Sequence, residues 1–311
     1  MRTKEQFLML FVLGGMMLAG LTACSGDDDT ATDGVKMRRL TITEADGGAA
    51  EARQALTRAS LTEDDGLTAK WTAGDALTYC NLSRTNPIQD DEPYTGPLTA
   101  TTTAATSQFT GNVTCSGGDY LAVVYPATTF ETNESYTISL AGQDGTLATL
   151  ATNFHYVYGR AHVTSVTETT ANATMEKMKS LLTVCKFSFV NKESEAAIPI
   201  QTLTISYGGT GSDVGRYPQS ATVAVIDKED DSIIKAQDDV HATGATATEP
   251  LTVTCTTAQE AVYVALLPTA EQRTFRFTVT DDSGNSYTGT AKATLTEGEY
   301  VEATGLKLTK Q

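Results

Sequence analysis

Histidine is scarce in this chain, and the sequence patterns that carry enzyme chemistry are missing. The 311 residues include only three histidines, His155, His162 and His241, and none has partners at the spacing of a metal site or a catalytic triad. No nucleophile elbow, Ser-x-x-Lys pattern or glycine-rich phosphate loop occurs. We therefore expect solvated histidines, no metal ion or other cofactor, and no enzymatic activity.

Basic residues are also few compared with acidic ones. The chain has 22 Lys and Arg against 38 Asp and Glu, which gives a formal net charge of −16 at pH 7. Proteins bind nucleic acids largely by neutralising phosphates with Lys and Arg. This balance excludes nucleic acid as an expected partner, whereas it suits solubility at a cell surface.

The N-terminus carries an apolar run that is shorter than a membrane span. Residues 7–19 follow Arg2 and Lys4 and are apolar apart from two glycines, whereas a transmembrane helix needs about 20 residues. The run ends in Leu-Thr-Ala before Cys24, and small residues ahead of a cysteine suit a signal peptidase. The sequence predicts a lipoprotein signal peptide over residues 1–23, lipidation of Cys24, and an anchor in the outer membrane.

Residues 24–36 are small and acidic, which predicts a structureless tether between the lipid and the folded protein. The three aspartates at 27–29 resemble the export signal that sends lipoproteins of Bacteroidota to the outer face of the outer membrane. We expect a cell-surface location, with a periplasmic lipoprotein as the alternative.

Four cysteines remain beyond the lipidation site, each in or beside an apolar segment. In an exported chain Cys80 could pair with Cys115, and Cys185 with Cys255. Buried free thiols that pack as small apolar side chains are an equal alternative, because a chain of this length does not need disulfides.

Long helical patterns are absent, whereas short alternating runs separated by Gly, Asn, Asp and Pro recur throughout. Such runs predict an all-β protein built of sandwiches of short antiparallel strands. We predict two domains in tandem, residues 37–178 and residues 179–311, with a first strand at 37–43 and one or two helical turns near 174–182. Residues 281–285 predict a hairpin turn.

Aromatic side chains have two interpretations in such a fold. Trp71, Tyr120 and Tyr125 are expected to pack in the core, as aromatic residues between sheets usually do. Exposed aromatics could instead form a platform for sugars. A surface lipoprotein that binds glycans is therefore the alternative function, with Tyr158 as a residue to test it.

Several phrases occur in an order that resembles one family. A Trp-x-x-Gly-Asp strand opening stands at 71–75, and it is followed by a Gly-Asp-Tyr-Leu-Ala-Val-Val-Tyr-Pro phrase at 118–126. The other matching phrases lie at residues 57–60, 181–189, 262–268, 295–300 and 306–308. With the lipoprotein signal, these phrases resemble the fimbrillin family of Bacteroidales lipoproteins, the Mfa-like or type V pilin group, over essentially the whole chain.

The resemblance implies two transthyretin-like domains and a structural role as a subunit, or as a tip or anchor component, of surface fimbriae. It also implies that an Arg-specific protease cuts the loop after the first strand. Loss of that strand then opens a groove, which a strand of another fimbrial subunit fills. Arg58 before Ala59 is the matching cleavage position and Arg53 the second choice. Leu40 and Ile42 would be the apolar residues of the removable strand, and the terminal strand at 300–310 would be a donor or a sheet-closing segment.

Overall fold

The fold is all-β. The computed structural model describes residues 35–44, 60–64, 66–84, 94–131, 135–175, 178–225, 242–243 and 247–311. The predicted signal peptide, Cys24, Arg53, Arg58 and Ala59 lie outside the described residues, as does most of the predicted tether.

Two large sheets contain most of the strands. The first eleven strands are β1 Lys36–Glu44, β2 Ser60–Asp64, β3 Gly66–Lys70, β4 Ala76–Asn81, β5 Thr95–Ala100, β6 Gln108–Cys115, β7 Tyr120–Tyr125, β8 Ser135–Ser139, β9 Val157–Val166, β10 Thr170–Met175 and β11 Lys179–Ser180. The other strands are β12 Thr183–Asn191, β13 Ile200–Tyr207, β14 Tyr217–Pro218, β15 Ser220–Ala224, β16 Ala242–Thr243, β17 Ala247–Glu249, β18 Leu251–Gln259, β19 Val262–Leu266, β20 Arg273–Thr280, β21 Ser286–Ala293 and β22 Tyr300–Lys310.

The first sheet closes into a barrel. Its strand order is β10-β1-β6-β5-β4-β7-β9, and β10 also pairs with β9, so that the two ends of the order meet; β11 pairs with the first part of β9. Side chains alternate between the two faces of each strand, and those that point inward form a core around Trp71. The Trp71 ring meets the rings of Phe109 and Tyr125 edge to face, with centroids 4.9 and 5.5 Å apart.

The second sheet has the order β18-β13-β20-β21-β22-β12-β19. Its buried side chains share one core with residues on the outer face of the barrel, among them Cys80, Ala122 and Val124. Both faces of β7 are therefore buried, which explains its continuous apolar run. Strand β8, from the first half of the sequence, pairs with β15 from the second half.

Two pairings and one helix differ from the sequence-based expectations. Strand β1 runs parallel to β10, and β12 runs parallel to β22, whereas the other pairings among the described strands are antiparallel. No helix occupies the described residues near 174–182. Met175 and Met178 both lie in the barrel core at the end of β10 and just before β11, and this placement produces the helix-like spacing. The helical segment is α1 Leu147–Thr149, continued by a π-helical turn over Leu150–Phe154.

Several smaller predictions can also be compared with the structure. The turn at 281–285 is confirmed, because Asp281 accepts hydrogen bonds from the backbone N–H groups of Ser283 and Asn285 between β20 and β21. The expectation of solvated histidines was wrong for His155, which is 1% exposed, and for His162, which is half-buried and stacks on Tyr120. His241 lies outside the described residues. Neither possible disulfide is formed, and the four cysteines are buried thiols.

The segment 140–146 covers the two end strands of the second sheet. The backbone N–H of Thr254 in β18 donates to the Gln143 carbonyl over 3.2 Å, and that of Tyr263 in β19 donates to the Gly145 carbonyl over 2.9 Å. The buried Gln143 side chain also accepts from the Ala265 N–H at 2.7 Å and donates to the Ala265 carbonyl at 3.0 Å. Unpaired strand edges invite association with other chains, and this segment occupies part of each of these two edges.

We expect Gln143→Ala to lower the free energy of unfolding by about 2 kcal/mol, because the substitution leaves two buried backbone groups of β19 without partners. Urea unfolding followed by circular dichroism measures this change. Gln108→Ala is the control, since the Gln108 side chain is exposed, and it should change the value by less than about 0.5 kcal/mol. Equal effects of the two substitutions would contradict the capping role of Gln143.

Candidate functional site

Strand β1 is the first described strand of the chain, and it completes the barrel. It pairs with β6 in antiparallel register and with β10 in parallel register. Both of its edges are therefore occupied, and β6 and β10 do not pair with each other. We define the groove between β6 and β10 that β1 fills as the β1 groove.

The inward face of β1 provides apolar side chains at every second position. Leu40 and Ile42 are both 0% exposed and belong to the barrel core. Leu40 lies opposite Gly111 of β6 and Ala171 of β10, whereas Ile42 lies opposite Phe109 and Ala173. Small residues on β10 leave space for these two side chains, which lie on one face of β1 as alternate residues of a strand do.

Gly111 allows close packing of the backbone beside Leu40. A Cβ atom at this position would lie 2.5 Å from the Pro97 carbonyl oxygen and 2.8 Å from the Leu98 side chain. Any side chain would therefore push β5 away from β6. The shape of the β1 groove opposite Leu40 depends on the absence of a side chain at Gly111.

Arg38 is a buried charged residue on the same inward face of β1, and the sequence analysis did not identify it. It is 1% exposed. Its Nε donates to the Thr167 carbonyl at 2.7 Å, and one terminal nitrogen donates to the Cys115 carbonyl at the end of β6. Burial raises the pKa of the Cys115 thiol to about 11, helped by Asp119 and opposed by Arg38. The sequence held one sign that Arg38 faces inward: it stands two residues before Leu40 and four before Ile42, and therefore on the same face of the strand.

The start of β1 reaches solvent. Met37 is 63% exposed, and Lys36 forms an exposed ion pair with Glu168 at 3.1 Å. Exposed ion pairs contribute little to stability. The attachment of β1 therefore depends on its backbone pairing and on its inward side chains.

The hairpin of β2 and β3, which follows the predicted cleavage positions in sequence, is attached to the second sheet through Glu63. Its carboxylate accepts hydrogen bonds from Lys186 at 2.6 Å, from Tyr300 at 2.6 Å and from the Tyr263 hydroxyl. These donors lie on β12, β22 and β19, respectively. The hydrogen bond from Lys186, followed by those from the two tyrosines, holds the pKa of Glu63 at about 2, below its ordinary 4.5.

The hairpin also contributes to the shared core, because Leu61 and Ala69 are buried there. The chain on the C-terminal side of the predicted cleavage positions is thus held by its own contacts. In the described part of the chain, β2 and β3 pair with each other, whereas β1 pairs with β6 and β10. The hairpin is therefore not attached through β1.

The exposure of the aromatic side chains shows which of them a ligand could contact. Trp71 and Tyr125 are buried as predicted, whereas Tyr120 is half-buried beneath the Arg160 guanidinium, 4.2 Å from its ring centroid. Tyr158 is 1% exposed. It therefore cannot take part in a surface sugar platform, and the choice of this residue as a test of glycan binding was wrong.

A polar pocket of about 460 Å³ lies beside the loop at 208–214 and residues 271–274. Its aromatic residue, Tyr207, is covered by the Arg273 guanidinium at 4.4 Å from the ring centroid. Arg273 in turn pairs with Asp213 at 3.3 Å. The aromatic face that a sugar would stack on is therefore occupied.

Within the described ranges, no group of three or more His, Cys, Asp or Glu side chains is arranged to hold a metal ion. A search of the same part of the chain for a helix long and apolar enough to cross a membrane finds none.

The fold resembles that of solved proteins from Bacteroides. A candidate cell adhesion protein from Bacteroides uniformis ATCC 8492 matches 88% of this chain and 96% of its own, with a TM-score of 0.53 and 14% identity. A candidate cell adhesion protein from Bacteroides ovatus ATCC 8483 matches 89% of this chain and 96% of its own, with a TM-score of 0.50 and 11% identity. No protein-family model and no curated protein sequence matches the chain.

We expect Leu40→Ala to lower the free energy of unfolding of the barrel by about 3 kcal/mol, because it removes a buried side chain opposite a glycine that cannot fill the space. Trp71, the only tryptophan, lies in the barrel core, so that its fluorescence during urea unfolding reports this change. Thr43→Ala, on the exposed face of β1, is the matched control. Equal losses for the two variants would contradict the role of Leu40.

We expect Glu63→Gln to destabilise the protein at pH 7 by at most about 3 kcal/mol, because the charged carboxylate is the form that its three donors stabilise. The folded pKa lies below the unfolded value, so this stabilisation is complete above about pH 4.5 and is lost as the pH falls towards 2. Urea unfolding of wild type and variant at pH 7 and pH 2.5 measures it.

Glu168→Gln is the control for Glu63, since the Glu168 side chain is 82% exposed and pairs only with the exposed Lys36 among the ion pairs described. Its effect should stay below about 0.5 kcal/mol at both pH values. A difference between wild type and Glu63→Gln that is the same at pH 7 and pH 2.5 would refute the charge-based attachment of the hairpin.

Proposed function

We propose that this chain is a non-enzymatic structural subunit, or a tip or anchor component, of cell-surface fimbriae of the fimbrillin type. In this proposal an Arg-specific protease cuts after Arg58, or after Arg53 as the second choice, and removes β1. A strand of another fimbrial subunit then enters the β1 groove. The observation that carries the proposal is the position of β1, which is the first described strand and fills the only space between β6 and β10.

The topology supports removal of β1 rather than of any other strand. A strand near the start of the chain can leave without threading the rest of the chain through the barrel. Its departure would uncover the backbone groups of β6 and β10 and the core beneath Leu40 and Ile42. An open groove with unpaired backbone and apolar surface favours capture of another strand.

The attached hairpin supports the same sequence of events. Cleavage after Arg58 would leave Ala59 next to β2, which Glu63 and Leu61 hold against the second sheet. The new N-terminus would therefore stay in place while β1 leaves. This arrangement separates the part of the chain that is removed from the part that remains.

The proposal includes two transthyretin-like domains at 37–178 and 179–311. Its support is the change of sheet between β10, the last strand of the barrel ring, and β12, which belongs to the second sheet. Lipidation of Cys24 after removal of residues 1–23, the acidic tether at 24–36 and the outer-membrane, cell-surface location are further parts of the proposal. They rest on the sequence pattern at the N-terminus.

The similar fold of candidate cell adhesion proteins from Bacteroides supports a surface role in adhesion. Glycan binding, the alternative function, has less support from the described residues. Among them the exposed large apolar side chains are Met37 and Val214, neither of which is aromatic.

We expect treatment with an Arg-specific protease to remove residues 24–58 from the lipidated wild-type protein and to give oligomers that resist mild denaturant. The physical reason is that the open β1 groove is satisfied by a strand from another copy. Intact mass and N-terminal sequencing should find a start at Ala59, both in the treated protein and in fimbriae shed from the native cell.

Arg58→Ala and Arg53→Ala form a matched pair of variants for this experiment. If cleavage occurs after Arg58, Arg58→Ala should remain uncut and monomeric and Arg53→Ala should be processed like the wild type, whereas the reverse pattern would assign the cut to Arg53. Trimmed protein that stays monomeric at high concentration would exclude a polymerising subunit. A lipidated Cys24 start in material from native cells would instead indicate an anchor or a glycan-binding lipoprotein.

A further inference from the structure

We propose that the β1 groove selects an incoming strand with a cationic residue at the position of Arg38 as well as apolar residues at the positions of Leu40 and Ile42. This inference rests on the proposed function, because it concerns the strand that replaces β1. It names the chemistry of that strand: a cation, then apolar side chains two and four residues later.

The first step is the environment of Arg38. A guanidinium that is 1% exposed would be strongly destabilising without partners. At Arg38 the charge is met by the carbonyls of Cys115 and Thr167, and by that of Lys36 at 3.4 Å. Hydrogen bonds from a charged donor are about twice as strong as those between neutral groups. The end of the groove is therefore built to receive a cation.

The second step is what remains in the groove when β1 leaves. The carbonyls of Cys115 and Thr167 belong to β6 and to the turn before β10, and not to β1 itself. They stay with the barrel and lose the Arg38 donors. An incoming apolar side chain would bury both carbonyls without these donors, and a carboxylate would face two carbonyl oxygens. A long side chain with several N–H donors restores the contacts, and a cationic one makes the stronger hydrogen bonds.

The third step concerns register. Leu40 and Ile42 alternate with a period of two, so a strand with several apolar residues could shift by two positions and still bury an apolar pair. Arg38 donates to the carbonyls of Thr167 and Cys115, which both lie at one end of the groove. A cation that must reach this end allows one register, so that it fixes where along the groove the strand is seated.

Arg39 offers an internal comparison within the same strand. It is the next residue and carries the same charge, yet it lies on the exposed face of β1. Removing either charge changes the net charge of the strand by the same amount. If substitution of Arg38 weakens binding more than substitution of Arg39, the difference therefore reports the buried contacts of Arg38.

The experiment uses the full mature chain, with an inserted recognition sequence for a sequence-specific protease between residues 45 and 59. After cleavage the β1 segment is retained without a covalent link. Fluorescent peptides of residues 35–44 then compete with it, and fluorescence anisotropy measures their dissociation constants. We expect the Arg38→Met peptide to bind at least about tenfold more weakly than wild type, and the Arg39→Met peptide to stay within about threefold.

Arg38→Lys should recover part of the affinity, because it keeps the charge but reaches fewer acceptors. Equal affinity of the Arg38→Met and Arg39→Met peptides would overturn the inference while leaving strand exchange in place. If no peptide enters, the proposed strand exchange fails. The urea concentration that releases the β1 segment from cleaved Arg38→Met and Arg39→Met chains then still tests Arg38, since equal midpoints would overturn its role.

Discussion

Closure of the barrel by β1 is the constraint on which the first half of the structure depends. A barrel removes the exposed edges of a sheet only when every strand is in place. Here β1 satisfies two neighbours at once, β6 on one edge and β10 on the other, and it covers the core around Trp71. The stability of the other barrel strands and the presence of the β1 groove are therefore two consequences of the same pairing.

The end strands of the second sheet, β18 and β19, are covered by a loop segment and not by a further strand. The segment at 140–146 blocks the end strands of the second sheet through the Gln143 side chain and the carbonyls of Gln143 and Gly145. These contacts come from the middle of the chain, and none of them is made by β1. The molecule thus combines strand edges that are contacted from the middle of the chain with one groove whose covering strand is the first described strand.

The sequence predicts the β-strands well because alternation of apolar and polar residues directly reflects the two faces of a strand. Leu40, Ile42 and the strands near 71–126 follow from this rule, and so does the turn at Asp281. The alternation does not predict which strands become neighbours. The parallel pairing of β1 with β10, and the pairing of β8 with β15 across the predicted domain boundary, depend on contacts between residues far apart in sequence.

Charged residues mark the other limit of prediction from sequence. Arg38 and Glu63 look like solvated residues of an acidic, polar chain, since a charged side chain is usually exposed. Their burial or pairing depends on acceptors and donors that other segments supply: carbonyls for Arg38, and Lys186 with two tyrosines for Glu63. Cys115 lies 77 residues from Arg38, and Lys186 lies 123 residues from Glu63.

The apolar residues of β1 cannot by themselves distinguish one strand from another. Pairs of apolar residues two positions apart recur in this chain, for example at Leu203 and Ile205 and at Val223 and Val225, because every half-buried strand needs them. Hydrophobic burial is non-directional, so it rewards all such strands in the groove. Discrimination requires a group whose burial is unfavourable unless its partners are present. A charge placed two residues before the apolar pair meets that requirement, and in β1 this residue is Arg38.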